Sequence, residues 1–527
     1  MFHSARGFSA TDAVAELLGK KVLRNERFGR HLPYVAALRD DAILTRQGDL
    51  LASAVVRGID SMTSDDATID ETSGTFAEIC RQLGDRFGLV VNKVSVPDTV
   101  ALPRITDGFA GAVDQRWQAD LAQRNLKTRT IMISVLVRPS LTENFSAVKA
   151  LFSTSLKSVQ ADQASRLALL DEDIILINAI FSESVFELLT IASGAWLSLL
   201  AGVQGQHYRK IIAEPGQLLA DVMTNFDVQF TGNRMVLEDG MRRRFGTIFG
   251  IMTYPSRTWA TMLDSLDLPF DITVSHSFTP RRANEMVERI QRIFRPRGAS
   301  EDTGISMTEQ LIQAADDVAS GRATFGDHHA SIQVFCDDEA ELEAAASEIW
   351  RVGQNCGATL VRERWAARTL YFAQAPGNWH YRIRTGIISA HNFAEMGAFH
   401  RPVPGREAQQ SPWGTTISAF PTVTSGLYRF NFHEKGSVHE EPSVVHSLVL
   451  GRTGSGKTIQ TAFLMAQARR ANVRTIVFDK DQGLEMAVRA LRGSYSEIKI
   501  GQATGFNPMA TETDDRGAAW LIVWLGA

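Results

Sequence analysis

The chain has 527 residues, 44% of them hydrophobic and 22% charged, with a formal charge of −4. That balance reads as an ordinary globular protein of roughly two to four domains. It argues against a global bias toward nucleic acid, although a local basic groove stays open. The three cysteines, Cys80, Cys336 and Cys356, lie far apart with no C-x-x-C pair. They argue against a disulfide framework or a zinc cluster and for a reducing compartment. The twelve histidines form no H-E-x-x-H, and the pair His328-His329 reads as structural.

In chain order, residues 1–30 predict a helical lead with Ala13, Val14, Leu17 and Leu18 on one face and Gly19 at its end. Met1 to Lys21 lacks the apolar core of a signal peptide. A turn at His31–Tyr34 precedes strands at Ala42–Thr45 and Leu50–Val56, joined by the tight turn Gln47-Gly48-Asp49. A helix around Thr75–Arg86, a strand at Leu89–Val96, a helix around Phe109–Asn125 and a strand at Thr130–Val137 follow.

Residues 143–220 read as mostly helical, with a marked apolar stretch from Phe186 to Gln204. Leu188 through Val203 carries no charge but is shorter than the roughly 18 to 20 residues a membrane span needs, so a buried helix is expected there. Strands are predicted at Thr247–Met252, Ile272–Ser275 and Ala330–Phe335. Helices are predicted at Arg281–Phe294, Thr308–Ala319 and Glu339–Val352. The basic clusters Arg242–Arg244 and Arg292–Arg297 read as a solvated face or a match for an acidic partner ahead of the alternative, a nucleic-acid site.

From Pro376 to Thr424 the composition shifts toward Gly, Pro, Ser and Thr, which places a boundary near residue 425. The expected division is residues 1–425, with a possible sub-boundary near 140–225, and residues 426–527. Tyr428–His433 is a predicted strand leading into the second part, its aromatics packed in the core.

The second part contains Gly451-Arg452-Thr453-Gly454-Ser455-Gly456-Lys457-Thr458. This fits the P-loop pattern G-x-x-x-x-G-K-[ST], expected by chance only about twice in a hundred chains of this length. Val444, Val445 and Leu448–Leu450 read as a buried strand before it. Ile459, Ala462, Phe463 and Ala466 repeat at helical spacing after it. Glycines let the backbone wrap a triphosphate, and the loop amides with the helix N-terminus face the anion. Lys457 is expected to reach the β- and γ-phosphates of ATP, and the Thr458 hydroxyl to ligate Mg²⁺. Thr475–Phe478 reads as a further strand ending in Asp479, Lys480 and Asp481. It follows the P-loop helix directly, so these acids are expected near the site rather than as a Walker B.

With these residues in place, the chain resembles type IV secretion ATPases of the CagE/TrbE/VirB family, the class containing the fourth VirB component. The stretches that carry the likeness are Arg30–Tyr34, Thr324–His329, Pro376-Gly377-Asn378, Asn392-Phe393-Ala394, Trp413-Gly414 and Phe430–His433. Phe478–Asp481 and Gly505-Phe506-Asn507-Pro508 complete the series. The resemblance implies a multidomain α/β and α+β chain. A large N-terminal α+β docking domain precedes a RecA-like P-loop domain, with residues 451–458 as the ATP site. It also implies an energising subunit peripheral on the cytoplasmic face of a bacterial inner membrane. Such a subunit assembles with other secretion components as a hexamer or related oligomer and supports pilus assembly and export.

The family's nucleotide domain continues past the Gly505–Pro508 stretch, whereas this sequence stops at Ala527 within an apolar helical run, Ala518–Leu525. The expectation is a C-terminally truncated chain that binds ATP and hydrolyses it poorly, with no assignable Walker B acid, water-activating glutamate or arginine finger. Two other readings stand beside the motor. One is a nucleotide-responsive assembly scaffold of the same machine, and the other is a DNA-translocating ATPase of the coupling-protein or FtsK kind.

Overall fold

The computed structural model describes residues 28–61, 63–106, 108–124, 126–139, 156–180, 186–214, 216–239, 242–297, 305–397, 399–436, 446–499, 501–503 and 514–526. Most of the predicted helical lead, Val444, Val445 and the Gly505–Pro508 stretch lie outside these residues. The chain forms two compact units. One comprises residues 1–99, 125–404 and 421–428, and the other residues 100–124, 405–420 and 429–527.

The first unit is built on a thirteen-stranded sheet. Its strands are β1 (Tyr34–Arg39), β2 (Ala42–Thr45), β3 (Leu50–Val56), β4 (Phe87–Pro97), β5 (Lys127–Val137), β6 (Phe186–Leu188) and β7 (Asp227–Thr231). They continue as β8 (Arg234–Glu238), β9 (Arg243–Thr253), β10 (Asp271–Pro280), β11 (Phe325–Cys336), β12 (Thr359–Arg362) and β13 (Gly386–Ser389). The spatial order β1-β2-β3-β5-β4-β10-β11-β9-β8-β7 is antiparallel throughout, and β6, β12 and β13 pair onto β3, β9 and β11. The fold is thus mixed α/β with a large antiparallel sheet. Gly48, at φ 86°, makes the β2–β3 turn with its amide on the Thr45 carbonyl at 3.0 Å.

Helices cover both faces of this sheet, which explains the long apolar runs of its central strands. Successive side chains on a strand point to opposite faces. Leu89 and Val91 of β4 and Ile131, Ile133 and Val135 of β5 enter one core, beside helices Asp66–Leu83 and Glu339–Asn355. Val90, Val94, Met132 and Leu136 enter the opposite core, beside helix Ala195–Val203. That helix is the second half of the apolar stretch singled out in the sequence; the expected helix does not extend over the first half, where Phe186–Leu188 pair onto β3 as β6. Trp196, Leu197 and Leu200 are fully buried, and no described helix is long and apolar enough to cross a membrane.

Several polar groups inside the unit are paired, although others, such as Trp196 Nε1 and Gln204 Oε1, have no hydrogen-bond partner. His328 sits with its Nε2 3.2 Å from His276 Nδ1 and its Nδ1 2.9 Å from the Tyr254 hydroxyl, within the sheet. Arg244, from the basic cluster, is not solvated. It is buried, donates to Asp271 and reaches the Gly205 carbonyl at 3.2 Å. Arg243 pairs with Glu238 at 3.3 Å, and Arg292 with Glu288 at 3.5 Å. Lys93 is buried against Asp267 at 2.8 Å. The three cysteines are buried free thiols.

The second unit contains helices Gly108–Gln123, Lys457–Ala468, Glu485–Ala490 and Asp515–Gly526. Trp117 packs its ring 5.1 Å from Phe463 and 5.9 Å from Phe420, knitting the first two helices to the residues preceding Pro421. Phe430 meets Phe420 at 6.1 Å and Phe432 at 5.0 Å, so these two aromatics of Tyr428–His433 serve packing, whereas Tyr428 is exposed.

Two predicted strands are corrected here. Residues 446–450 and 474–478 form neither helix nor strand. Leu448 (82% exposed), Leu450 (81%) and Phe478 (96%) face solvent. The physical reason is cooperative: a strand needs neighbours to satisfy its backbone and cover its side chains. Among the described residues none pairs with either segment.

Candidate nucleotide-binding site

Gly456 precedes helix Lys457–Ala468 at φ 90°, with no side chain to cap the helix. Gln460 donates to the Gly456 carbonyl at 2.9 Å, so the amides of Lys457, Thr458 and Ile459 lie ahead of the first helical bond and lack an intrahelical acceptor. They carry the positive end of a twelve-residue helix. Gly454, at φ 80°, has open space where a Cβ would stand, as does Gly456. The left-handed backbone, not crowding, is what calls for glycine at both positions. Gly451 is different, because a Cβ there would lie 2.5 Å from Ser455 Oγ. A turn closed by Ser455 N–H on the Arg452 carbonyl at 3.1 Å completes the loop.

The Lys457 ammonium folds back over the loop and donates to the carbonyls of Gly451 and Arg452, both at 2.9 Å. The eight residues predicted as a phosphate cradle, six in the loop and two opening the helix, lie at the surface, exposed except for the half-buried Lys457. Uncapped amides, a mobile-stemmed cation and unfilled space above two positive-φ glycines suit an anion the size of a polyphosphate.

Thr458, the second residue of the helix, lies beside the following loop, where a Cβ on Gly483 would stand 3.2 Å from Thr458 Cγ2. That loop starts at Asp479, whose carboxylate accepts the Leu484 amide at 2.8 Å, and turns at Gln482, φ 60°. Asp481 is exposed. The stretch 479–484 thus lies beside the first turn of the helix. Sequence reasoning did not single out Gly483, and the Gln482-Gly483 pair is the turn signal that could have drawn notice to it.

Three family comparisons match successive parts of the chain. Residues 41–144 match the type IV secretion system ATPase VirB4/TrbE N-terminal domain. Residues 196–384 match the CagE, TrbE, VirB family, component of type IV transporter system. Residues 437–523 match the type IV secretion-system coupling protein DNA-binding domain. Among curated relatives, the type IV secretion system protein virB4 of Bartonella henselae is 26% identical over 94% of this chain. The PtlC homolog of Bordetella bronchiseptica is 24% identical over 95%, and protein virB4 of Agrobacterium tumefaciens 26% over 92%. The chain spans 64%, 63% and 62% of those relatives' own lengths. Two family matches in the front region, in the expected order, and likeness along nearly the whole chain agree with the stretches first noted from Arg30 onward: the chain is similar, along nearly its whole length, to the CagE/TrbE/VirB family of type IV secretion components.

Proposed function

We propose that this chain supplies the nucleotide-binding and docking parts of an energising subunit of a bacterial type IV secretion or conjugation system. The observation that carries the reading is the loop Gly451–Thr458 at the start of an uncapped helix, in a chain similar to this family. ATP supplies the phosphoryl chemistry when bound. The chain's own part is to hold it: the amides of the first helical turn would bind phosphate oxygens, and Lys457, now on the Gly451 and Arg452 carbonyls, would neutralise the β- and γ-phosphates. Thr458 is placed to ligate Mg²⁺. In this reading residues 426–527 are the first part of a RecA-like domain, and residues 1–425 dock to the machine. ATP hydrolysis supports pilus assembly and substrate export. The partners are other secretion components and further copies of the chain, at the cytoplasmic face of the inner membrane.

A mant-ATP titration with Mg²⁺ tests the site. Lys457→Ala is expected to weaken binding on the order of a hundredfold, the loss of a charge-assisted contact to a doubly charged group. Equal affinity of the variant and the unaltered chain sinks the reading. In cells, loss of secretion by Lys457→Ala with the complex still assembled favours the motor, whereas unchanged secretion favours a scaffold.

The match of residues 437–523 to a coupling-protein DNA-binding domain supports a second reading, nucleic-acid contact by the P-loop part. The matches of residues 41–144 and 196–384 weigh toward the VirB4/TrbE kind. ATP turnover that rises with the length of added DNA favours the second reading.

A further inference from the structure

We propose that Asp114 and Arg470 are positioning residues for the nucleotide site: they hold the P-loop helix to a helix inserted in the β4–β5 hairpin, so that filling the loop is felt at that hairpin. The proposal rests on the nucleotide reading above and extends it to the way the site is coupled to the rest of the chain.

Arg470 stands just beyond the C-terminal end of helix Lys457–Ala468, whose N-terminus carries the loop. Its side chain is 1% exposed, as is that of Asp114 on helix Gly108–Gln123, and the two form an ion pair. The remaining polar atoms are also engaged. Arg470 Nε donates to the Pro103 carbonyl at 2.7 Å. Its Nη1 donates to the Ile417 carbonyl and to Gln467 Oε1, the latter at 3.1 Å. Asp114 Oδ2 accepts from the Ile105 amide at 3.0 Å and from Gln118 Nε2 at 2.8 Å. Midway along the helix, Trp117 packs edge-on against Phe463 and donates its indole N–H to the Ala419 carbonyl at 3.0 Å. A helix is a stiff rod of about 1.5 Å per residue. A clamp at its middle and far end therefore sets where its N-terminal amides point.

The clamp is not an independent element of the chain. β4 ends at Pro97, β5 begins at Lys127, and these two residues are register partners. Residues 98–126 therefore leave and rejoin one hairpin at a single place. The other part of the clamp, Ile417 to Ala419, begins the hairpin Ser418–Pro421/Leu427–Phe430, whose tip residue Ser425 accepts the Lys127 amide at 2.9 Å. Of the elements that grip the P-loop helix, one thus leads along the chain to Lys127 and the other to Ser425, its hydrogen-bond partner. A buried ion pair adds little net stability over an apolar pair of the same volume, while removing one partner is costly. What such a pair supplies here is a single allowed geometry.

The test measures ATP affinity and hydrogen–deuterium exchange, with and without Mg²⁺-ATP, on the full 527-residue chain. The variants are Lys457→Ala, Asp114→Asn, and the double exchange Asp114→Arg with Arg470→Asp. ATP is expected to slow exchange at residues 98–106 and 126–130 in the unaltered chain, an effect Lys457→Ala loses. Asp114→Asn is expected to weaken ATP binding on the order of tenfold and to lose the slowed exchange at 126–130. The double exchange regains part of both. Asp114→Asn binding ATP like the unaltered chain, with an unchanged melting temperature, overturns the proposal and leaves the nucleotide reading standing. So does an unaltered chain that binds ATP with no change in exchange at 98–106 and 126–130, a readout that needs no variant to fold. An unaltered chain that does not bind ATP overturns both readings.

Discussion

His276, His328 and His329 show how the sheet's interior treats a titratable side chain. All three are buried on β10 and β11. Burial pushes His276 down to about 4, and burial with the nearby Arg382 pushes His329 down to about 3. His328 lies well below its ordinary value for the same first cause. The unfolded chain's histidines titrate near 6.5 and take up protons there that the folded chain refuses. Stability contributed by their neutrality is therefore full above about pH 6.5 and is lost as pH falls from there, toward about 4 for His276 and about 3 for His329, at about 1.4 kcal/mol per pH unit for each. Asp271 adds to the loss at lower pH. Burial alone raises its carboxyl, but Arg244, Lys127 and Arg129 outweigh that and hold it below the usual range. Urea unfolding followed at pH 7 and pH 5 checks this, with a lower midpoint expected at pH 5. A midpoint that rises on acidification contradicts the assignment. The sequence pointed to a structural His328-His329 pair, but not to His276 or Tyr254 as their surroundings, because His276 lies on another strand and Tyr254 just past the end of a third.

Elements differ in how far their own residues specify them. β2 and β3 match their predicted spans because a Gly-centred turn and apolar runs mark both ends within a dozen residues. Helix Ala195–Val203 was legible for a related reason: an uncharged stretch too short to span a membrane is expected to be covered by protein. Trp196 is fully buried there, and Trp196→Ala is expected to cost about 3–5 kcal/mol. A thermal melt followed by circular dichroism measures it, and a variant melting within a degree of the unaltered chain rejects that packing. The short strands β1, β7, β8, β12 and β13 gave no comparable signal. All but β8, which lies between β9 and β7, are edge or add-on strands, and what makes them strands is a neighbour's free backbone rather than their own composition. The reverse case is residues 446–450 and 474–478, where apolar composition read as strand and no described neighbour pairs with it.

At the scale of the whole molecule, the exposed apolar side chains of the second unit have a measurable consequence. Leu448, Leu450, Ile476 and Phe478 are each more than 70% exposed, and contiguous apolar surface drives association. Phe478→Glu combined with Ile476→Lys is expected to lower binding of the dye ANS and reduce self-association in sedimentation velocity. Dye fluorescence equal to that of the unaltered chain contradicts this. The division near residue 425, read from a shift toward Gly, Pro, Ser and Thr, carries no signal that residues 100–124 group with the P-loop unit. A helix placed between two strands looks like any crossover until those strands are seen to pair with each other. The sequence by itself determined whatever is written within a few residues: the Gly48 turn, the period of the apolar runs, and the P-loop with its glycines, lysine and threonine. Only the tertiary structure decided the order β5-β4-β10-β11-β9, the burial of Arg244 on Asp271, and the pairing of Asp114 with Arg470 across 356 positions. The reason is physical: backbone turns and side-chain periodicity act between near neighbours. A strand's partner or a buried charge's counter-ion is chosen by which distant surfaces exclude water together.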